Sequence, residues 1–589
     1  MKSRRSFLLV IALVSVLGPA CGSDGDGRSG RGAIGGAGGV GGGGSGGAGG
    51  DSGGGEGGAD EGEGGSDVRW IDLEDRTIEV PVNGMHQVAV SIDRDVVGDQ
   101  EIEVTIEGEL PAGVELAASS SRETLSALRF PEGTDRASFY VGGFGVDSLG
   151  APSTLTLRGS GGEFSDEASF EIVVAPIVTS TSNAGEGSLR DVIETAGALS
   201  TNPVIRFSWQ KFTSPTLVRL ESPIVVTKDL EIHGVTVDGI PFVSIESVDS
   251  RALLIEAGAG VKLKGLRFAN GKETSGDGGC VHAQGDLVVD GVIFESCSAQ
   301  NGGAIFAAAG LVVENSAFAS NKASANGGAI SASGAIALAG SDFLANEADY
   351  GGAIYGHEVG IVESTLRANE ARTDGGAIWA EYLILETSTV DANDAAEKGG
   401  AMLVEYEGTI RQSTVVMNKA RYGGAMKLGN GASLAVMFST VFGNDASVEG
   451  GGIQADPLLI FSMKGSIIAG NVGGSGPDLR MEDATLDSDG YNIVGDNISS
   501  FLALRDFHPT DQVGSSEPID VLLNGLSGNG GKTMTMRPKD GSPALNAIPK
   551  EDCTMLGAPL LSDQVGGRRP VGSGCEIGAF EEQRTVEPI

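Results

Sequence analysis

From residue 278 onward the apolar positions of this chain fall into step. A small-residue motif, Gly-Gly-Ala followed by an apolar residue, opens at Gly302, Gly327, Gly351 and Gly375 with Ile, and at Gly399 and Gly423 with Met. Gly278-Gly279-Cys280-Val281 precedes these copies and Gly450-Gly451-Gly452-Ile453 follows them. The spacings are 24, 25, 24, 24, 24, 24 and 27 residues. A second ladder keeps the same time, an apolar residue, two variable ones, then Asn: Phe318/Asn321, Phe343/Asn346, Leu366/Asn369, Val390/Asn393, Val415/Asn418, Val441/Asn444 and Ile468/Asn471. Phe294/Cys297 puts Cys in the Asn slot. Short runs such as Leu311–Val313, Ile336–Leu338 and Leu383–Leu385 lie between the ladders.

Repetition at this period marks a solenoid, in which each repeat covers the apolar face its neighbour cannot bury alone. The pattern predicts an all-β chain built on a parallel β-helix. Rungs of about 24 residues, each with about three short strands, stack at the ~4.8 Å strand spacing. About eleven rungs fit between Ile224 and Asn492. Asn321, Asn346, Asn369, Asn393, Asn418 and Asn444 form a structural ladder, their amides bonding up and down a bend that strand pairing cannot satisfy. The Phe/Leu/Val column stacks inside, Gly-Gly permits a sharp turn, and the following Ala lets backbones approach. A leucine-rich repeat would need L-x-x-L-x-L, which is missing.

The pattern changes on either side of the coil. Residues 67–176 alternate with period two in runs such as Arg76–Val80, Val88–Ile92, Glu101–Ile106, Ala137–Val141, Thr154–Leu157 and Ser169–Val174. They predict a small immunoglobulin-like β-sandwich, without the Cys-Trp-Cys pattern of a true immunoglobulin domain; spacer and weak binding module both remain open. Ser188 and Asp191 open a short helix with Leu189, Val192, Ile193 and Ala196 on one face, an expected N-terminal cap for a coil running over 177–500. Residues 501–589 are expected to cap the other end.

Residues 1–21 read as an export signal: Lys2, Arg4 and Arg5, then an apolar stretch from Phe7 to Leu17 too short to span a bilayer. Leu17-Gly18-Pro19-Ala20-Cys21 resembles a bacterial lipoprotein signal, which implies lipidation of Cys21; ordinary signal-peptidase cleavage nearby is the other reading. Residues 22–66 hold 25 glycines in 45 positions and read as a disordered tether. With Cys21 set aside, four cysteines remain, an even number that suits an oxidising compartment. Cys553 and Cys575 flank a turn-rich segment and are assigned as a disulfide. Cys280 and Cys297 either pair or fill core positions as thiols. The formal charge of −39 argues against nucleic acid as a partner.

The Gly-Gly-Ala-Ile and Phe-x-x-Asn pair is similar to the repeat of chlamydial-type polymorphic outer membrane proteins. Ser182 to Ala196, Ser466–Asn471, Gly490–Val494, Asn529–Thr533 and Gly541–Leu545 resemble bacterial right-handed β-helix surface proteins of the choice-of-anchor type. So does Asp563-Gln564-x4-Arg569-Pro570 leading to Cys575–Glu581. The resemblance spans about 177–581. It implies a right-handed parallel β-helix (the pectin lyase-like fold) displayed at the cell surface, with adhesion as a role. The polymorphic proteins end in a membrane β-barrel, whose strand set is not expected from residues 501–589; a lipidated Cys21 would supply the outer-membrane anchor in its place.

Parallel β-helices also host polysaccharide lyases, which resemble one another in holding Ca²⁺ by acidic residues near a base. Asp349, Tyr350, Asp374, Glu397, Lys398, Arg421 and Tyr422 fall just before successive Gly-Gly motifs and could share one polar edge. They are the candidate binding edge, with Tyr350, Tyr422, Tyr355 and Trp379 as sugar platforms. Mixed signs on adjacent rungs are also what stacking alone requires, because like charges repel. His282 and His357 have no second ligand at metal spacing, and no catalytic or metal residues are assigned. The expected function is therefore a lipid-anchored or secreted envelope protein, adhesin-like and non-enzymatic. Its partner would be an extracellular ligand, a glycan or another cell surface. The alternative is a Ca²⁺-dependent polysaccharide lyase or other carbohydrate-active enzyme; only it would need a cofactor.

Overall fold

A computed structural model describes residues 69–583, apart from 70, 74–76, 82–83, 98–100, 109, 111–113, 119–124, 144–152, 162–163, 200–201 and 456–459. The expected signal and tether, with Cys21, lie outside the described residues.

The N-terminal unit is a two-sheet sandwich over one core that includes Val80, Val88, Val104, Phe130, Phe139, Leu157 and Phe170. One sheet holds Ile71–Leu73, Gly84–Ile92, Arg136–Gly143 and Val114–Ala117. The other holds Thr77–Pro81, Phe164–Ala175, Ser153–Gly161, Ile102–Glu107 and Ala127–Phe130. All pairs are antiparallel except Thr77–Pro81 with Phe164–Ala175. Strands 71–73, 114–117 and 127–130 were not among the expected ones; they are only three or four residues long, too short for alternation to stand out.

The chain enters the coil through a helix, Leu189–Leu199. Ser188 Oγ accepts the Asp191 N–H (3.3 Å), and Asp191 reaches back to the Gly187 N–H (2.9 Å), one residue earlier than a standard capping box. Leu189, Val192, Ile193 and Ala196 are buried in the coil's own core, so the helix closes its first turn.

The coil is a parallel β-solenoid of about 12 turns of roughly 25 residues. Each regular rung carries four short strands rather than about three, distributed over three sheets. In one rung these are Ile305–Ala307, Leu311–Glu314, Ala317–Ala319 and Lys322–Asn326. The first two belong to a single first sheet, the third to a second sheet and the fourth to a third sheet. Register is exact by residue type: Phe268, Phe294, Phe318 and Phe343 pair in series, continuing through Leu366, Val390, Val415, Val441 and Ile468. The phenyl rings stack inside at 4.7–5.2 Å between centroids.

The bends require more than the strands do. The residue before each ladder Asn is left-handed, as at Ser320, Ala345, Ala368 and Ala392 (φ 53–56°), a conformation costly for residues with a Cβ. The next N–H is turned away from strand pairing and is met by a side chain from the following rung. Asn369 N–H and Nδ2 both donate to Asn393 Oδ1 (2.8 and 2.9 Å), and Asn369 Nδ2 also donates to the Phe343 carbonyl (3.1 Å). The series is continuous from the Cys297 N–H to Asn471, and it ends on Asp478, whose Oδ1 accepts both Asn471 donors. Burial pushes the Asp478 carboxyl up to about 7, against the bonds from Asn471 and Asp496 that favour its charged form.

A second ladder, absent from the sequence reading, supports the preceding bend. Ser316, Ser341, Ser364, Ser388, Ser413, Ser439 and Ser466 each accept an N–H from the rung before, at 3.1–3.2 Å, and Asn492 ends the series. The signal was present as Ser two residues ahead of each core Phe, Leu, Val or Ile.

Neither glycine of the pair can carry a Cβ, since one on Gly302 would already lie 2.0 Å from the Ile305 carbonyl oxygen. The first glycine is left-handed (φ 60–70° from Gly302 to Gly423). At the second, close approach is decisive: a Cβ on Gly376 would lie 1.9 Å from the Gly400 carbonyl oxygen. The alanines that follow, Ala304, Ala329 and Ala353, are fully buried and bond rung to rung through their backbones, Ala304 N–H to the Ala329 carbonyl at 2.9 Å.

Cys280 and Cys297 are disulfide-bonded (Cα–Cα 5.7 Å), resolving the open question, and Cys553–Cys575 is bonded as expected (6.0 Å). Gly271 makes room for the first bridge, since a Cβ there would meet Cys280 Sγ at 2.6 Å. Replacing Asn393 by Ala strands the Asn369 N–H and amide in the interior. The expected loss is about 3 kcal/mol in urea unfolding with disulfides intact; a loss below about 1 kcal/mol would contradict the ladder's role.

Candidate functional site on the open flank

Residues 501–583 do more than close the end of the coil. They run back along the outside of the second sheet, over rungs from Glu363 to Ile493. Phe438, Ile467, Ala469 and Ile493 on the coil share a core with Val521, Leu523, Ile548, Leu560 and Ile577. An outward column of threonines holds the segment: Thr389 Oγ1 donates to the Met534 carbonyl (2.6 Å), Thr414 Oγ1 to Gln564 Oε1 (2.6 Å), and Thr440 Oγ1 accepts the Ala579 N–H (3.1 Å). Gln564 Nε2 also donates to the Ser388 carbonyl and to Thr533 Oγ1.

The motif from Asp563 to Glu581 is therefore a clasp. Arg569 and Glu581 are fully buried and paired at 2.8 Å, and Arg569 also donates to the Gly578 and Phe580 carbonyls (3.0 and 3.1 Å). Glu581 accepts the N–H groups of Val571 and Glu576, and its own N–H goes to Asp563 (2.8 Å). Burial, reinforced by its hydrogen bond to Glu581, pushes Glu576 up to about 9. At neutral pH Glu576 is thus a neutral acid that donates to the Glu581 carboxylate.

The opposite flank, where the third sheet bends into the first, carries the candidate edge. Tyr350, Asp374, Lys398 and Tyr422 occupy successive register positions, as expected from the sequence. The neighbouring column meets its charges across rungs: Glu397 takes the Arg421 guanidinium on both oxygens (2.9 Å each), and Asp349 pairs with Arg372 (2.7 Å). The Arg421 guanidinium also lies 5.4 Å from the Tyr422 ring centroid. Asp374 Oδ1 is buried without a partner, and burial raises this carboxyl against the pull of Lys398. Such pairs, largely in solvent, are worth little individually and chiefly fix the spacing of the edge.

Tyr355 and Trp379 lie beside this edge on the outer face of the first sheet. Their rings stack on each other at 4.4 Å and 13°. Each spends one ring face on the other. His282 packs at a 37° tilt against Phe306 (5.1 Å) with Nδ1 at the Asp277 carbonyl (3.1 Å), and His357 Nδ1 sits 2.7 Å from Glu381. Among the described residues no group of three or more His, Cys, Asp or Glu is placed to hold a metal ion. The sequence reading passed over Glu358, Glu381, Tyr382, Glu405 and Tyr406, which face outward beside Tyr355 and Trp379; outward residues of a single strand carry no periodic signal.

Compared with protein-family models, curated proteins and solved structures, the chain matches none.

The clasp has a pH signature. A carboxyl whose folded value is raised contributes stability that is complete below its unfolded value, 4.5, and lost as pH rises through about 9. Wild-type stability should fall across that interval, and Glu576→Gln should flatten the fall, matching wild type near pH 5 and exceeding its stability increasingly from neutral pH upward. Glu581→Gln, which leaves Arg569 buried and unpaired, should cost about 3–5 kcal/mol. Urea unfolding from about pH 5 to 9 tests both, and equal losses in the two variants would contradict the assignment.

Proposed function

We propose that this protein is a lipid-anchored, surface-displayed β-helix that presents its uncovered flank to an extracellular ligand, a glycan or another cell surface, without catalysing a reaction. One observation carries the reading. The second sheet is closed by the C-terminal segment, whereas the flank from Tyr350 to Tyr422 keeps its charged and aromatic side chains at the surface, Tyr350 being 38% exposed. Burying one side of a solenoid and leaving the other open gives a long one-sided display surface, the usual way such coils meet partners. The charges on that flank are engaged with one another across rungs, Glu397 with Arg421 and Asp349 with Arg372, which suits a fixed binding surface.

The remaining support is in the sequence. The export signal, Cys21 and the glycine-rich segment 22–66 would hold the folded part clear of an outer membrane. The likeness of 177–581 to choice-of-anchor surface proteins fits the same placement, and secretion without lipid is the variant reading.

Two results test this. Cys21→Ala should abolish fatty-acid labelling and release the protein from the membrane fraction. A glycan and polymer array probed with the full mature chain should report binding without turnover. Labelling unchanged by Cys21→Ala would remove the anchor, and Ca²⁺-dependent unsaturated products from pectin or alginate would contradict the non-enzymatic reading.

A further inference from the structure

Three consecutive rungs depart from the four-strand pattern. Ile354–Val362, Ile378–Glu386 and Met402–Arg411 cross the first sheet as single strands of nine or ten residues, where other rungs split the same path in two. Running straight through the split brings extra side chains onto the outer face: His357, Glu358, Glu381, Tyr382, Glu405 and Tyr406.

Their arrangement is acidic and aromatic together. The Tyr382 ring meets His357 edge-on at 5.5 Å and Tyr406 at 5.6 Å, with Tyr406 52% exposed. Among the described residues Glu381 pairs with His357 alone (2.7 Å). Glu358 is the informative member. It precedes the core residue Val359, so it leaves the coil outward, and its register partner on the next rung is Tyr382. It is 8% exposed and has no hydrogen bond or ion pair among the described residues. Glu405 likewise has neither. Most of the side chain is covered while its carboxylate oxygens reach solvent on the outer face, which leaves a recessed acceptor for a cation brought by a partner. The nearest base along the outward column, Lys427, is already engaged, donating to the Leu428 carbonyl at 3.1 Å.

The carboxylates do not converge as a metal-ligand set. Tyrosine rings beside them provide the other half of an organic-cation site, because an ammonium is attracted to an aromatic face and most strongly when partly desolvated. The surface is an open sheet face, so a small free amine would find little enclosure there, while a side chain delivered by a larger partner brings its own cover. The chain's charge of −39 favours approach of a basic partner.

We propose that the outer face of rungs 354–411 is a docking site for a lysine side chain of a cationic polypeptide, its ammonium seated between Glu358, Glu405 and the Tyr382 and Tyr406 rings. This deepens the binding-face reading and rests on it.

The test uses the full mature chain and an oligolysine peptide, in about 0.15 M salt so that distant exposed charges are screened. Glu358→Gln should weaken oligolysine binding about tenfold or more, with no fall in melting temperature because the substitution breaks no hydrogen bond or ion pair within the chain. Glu370→Gln, an exposed acid on the third sheet, should change binding less than about twofold. Equal effects from the two variants would reduce the binding to general electrostatics and overturn the site. Binding of a chitosan oligomer in preference to oligolysine would overturn the polypeptide assignment in favour of an amino-glycan. If the wild-type chain binds an array ligand but not oligolysine, this inference fails and the binding face stands; if it binds neither, both fail.

Discussion

A coil of short strands is limited by its bends. Strand pairing satisfies the backbone wherever the chain is extended, but at each corner an N–H group faces a neighbour that has also turned away. In this protein a side chain from the following rung takes that bond, an asparagine at one corner and a serine at the one before it. The ladder amide also reaches back to a core-residue carbonyl, so each asparagine ties three rungs together. The left-handed residue ahead of each ladder member is the cost of the sharp corner, and the ladder bond keeps that corner in place.

The rest of the architecture follows from those corners. Rungs held in one register place like residue on like, so the phenyl column forms, acids stack in places as Glu347, Glu370 and Asp394 do, and other charges pair across rungs as Glu397 does with Arg421. The same register creates the outward threonine column on the second sheet, which the C-terminal segment grips through Gln564, Met534 and Ala579. Once that side is closed, the flank with the Tyr350–Tyr422 edge and the three uninterrupted strands is where side chains remain free to meet something else.

What could be read from the sequence divides along the same lines. Features repeated at a fixed period were legible: Gly-Gly, the apolar column and the asparagines. The serine ladder is equally periodic, but Ser is an ordinary residue at turns, and only its constant two-residue offset from Phe318 or Val390 sets it apart. The clasp motif from Asp563 to Glu581 was visible as a string, yet its role was not. Gln564 meets Ser388 and Thr389 at 175 or more residues' separation, and no local pattern encodes that. The candidate edge was placed correctly as a column, while its pairing partner Arg372 was missed. Glu358 gave no sign, since its burial depends on three strands failing to split.

The central claim is that side-chain ladders, not strand pairing, secure the corners. Native-state hydrogen exchange of the ladder amides, Asn321, Asn346, Asn369, Asn393 and Asn418, tests it most directly. The account predicts that these bend amides exchange as slowly as the strand amides of Ile354 or Ile378, despite lying outside any strand. Exchange at the rate of ordinary surface turns would contradict it.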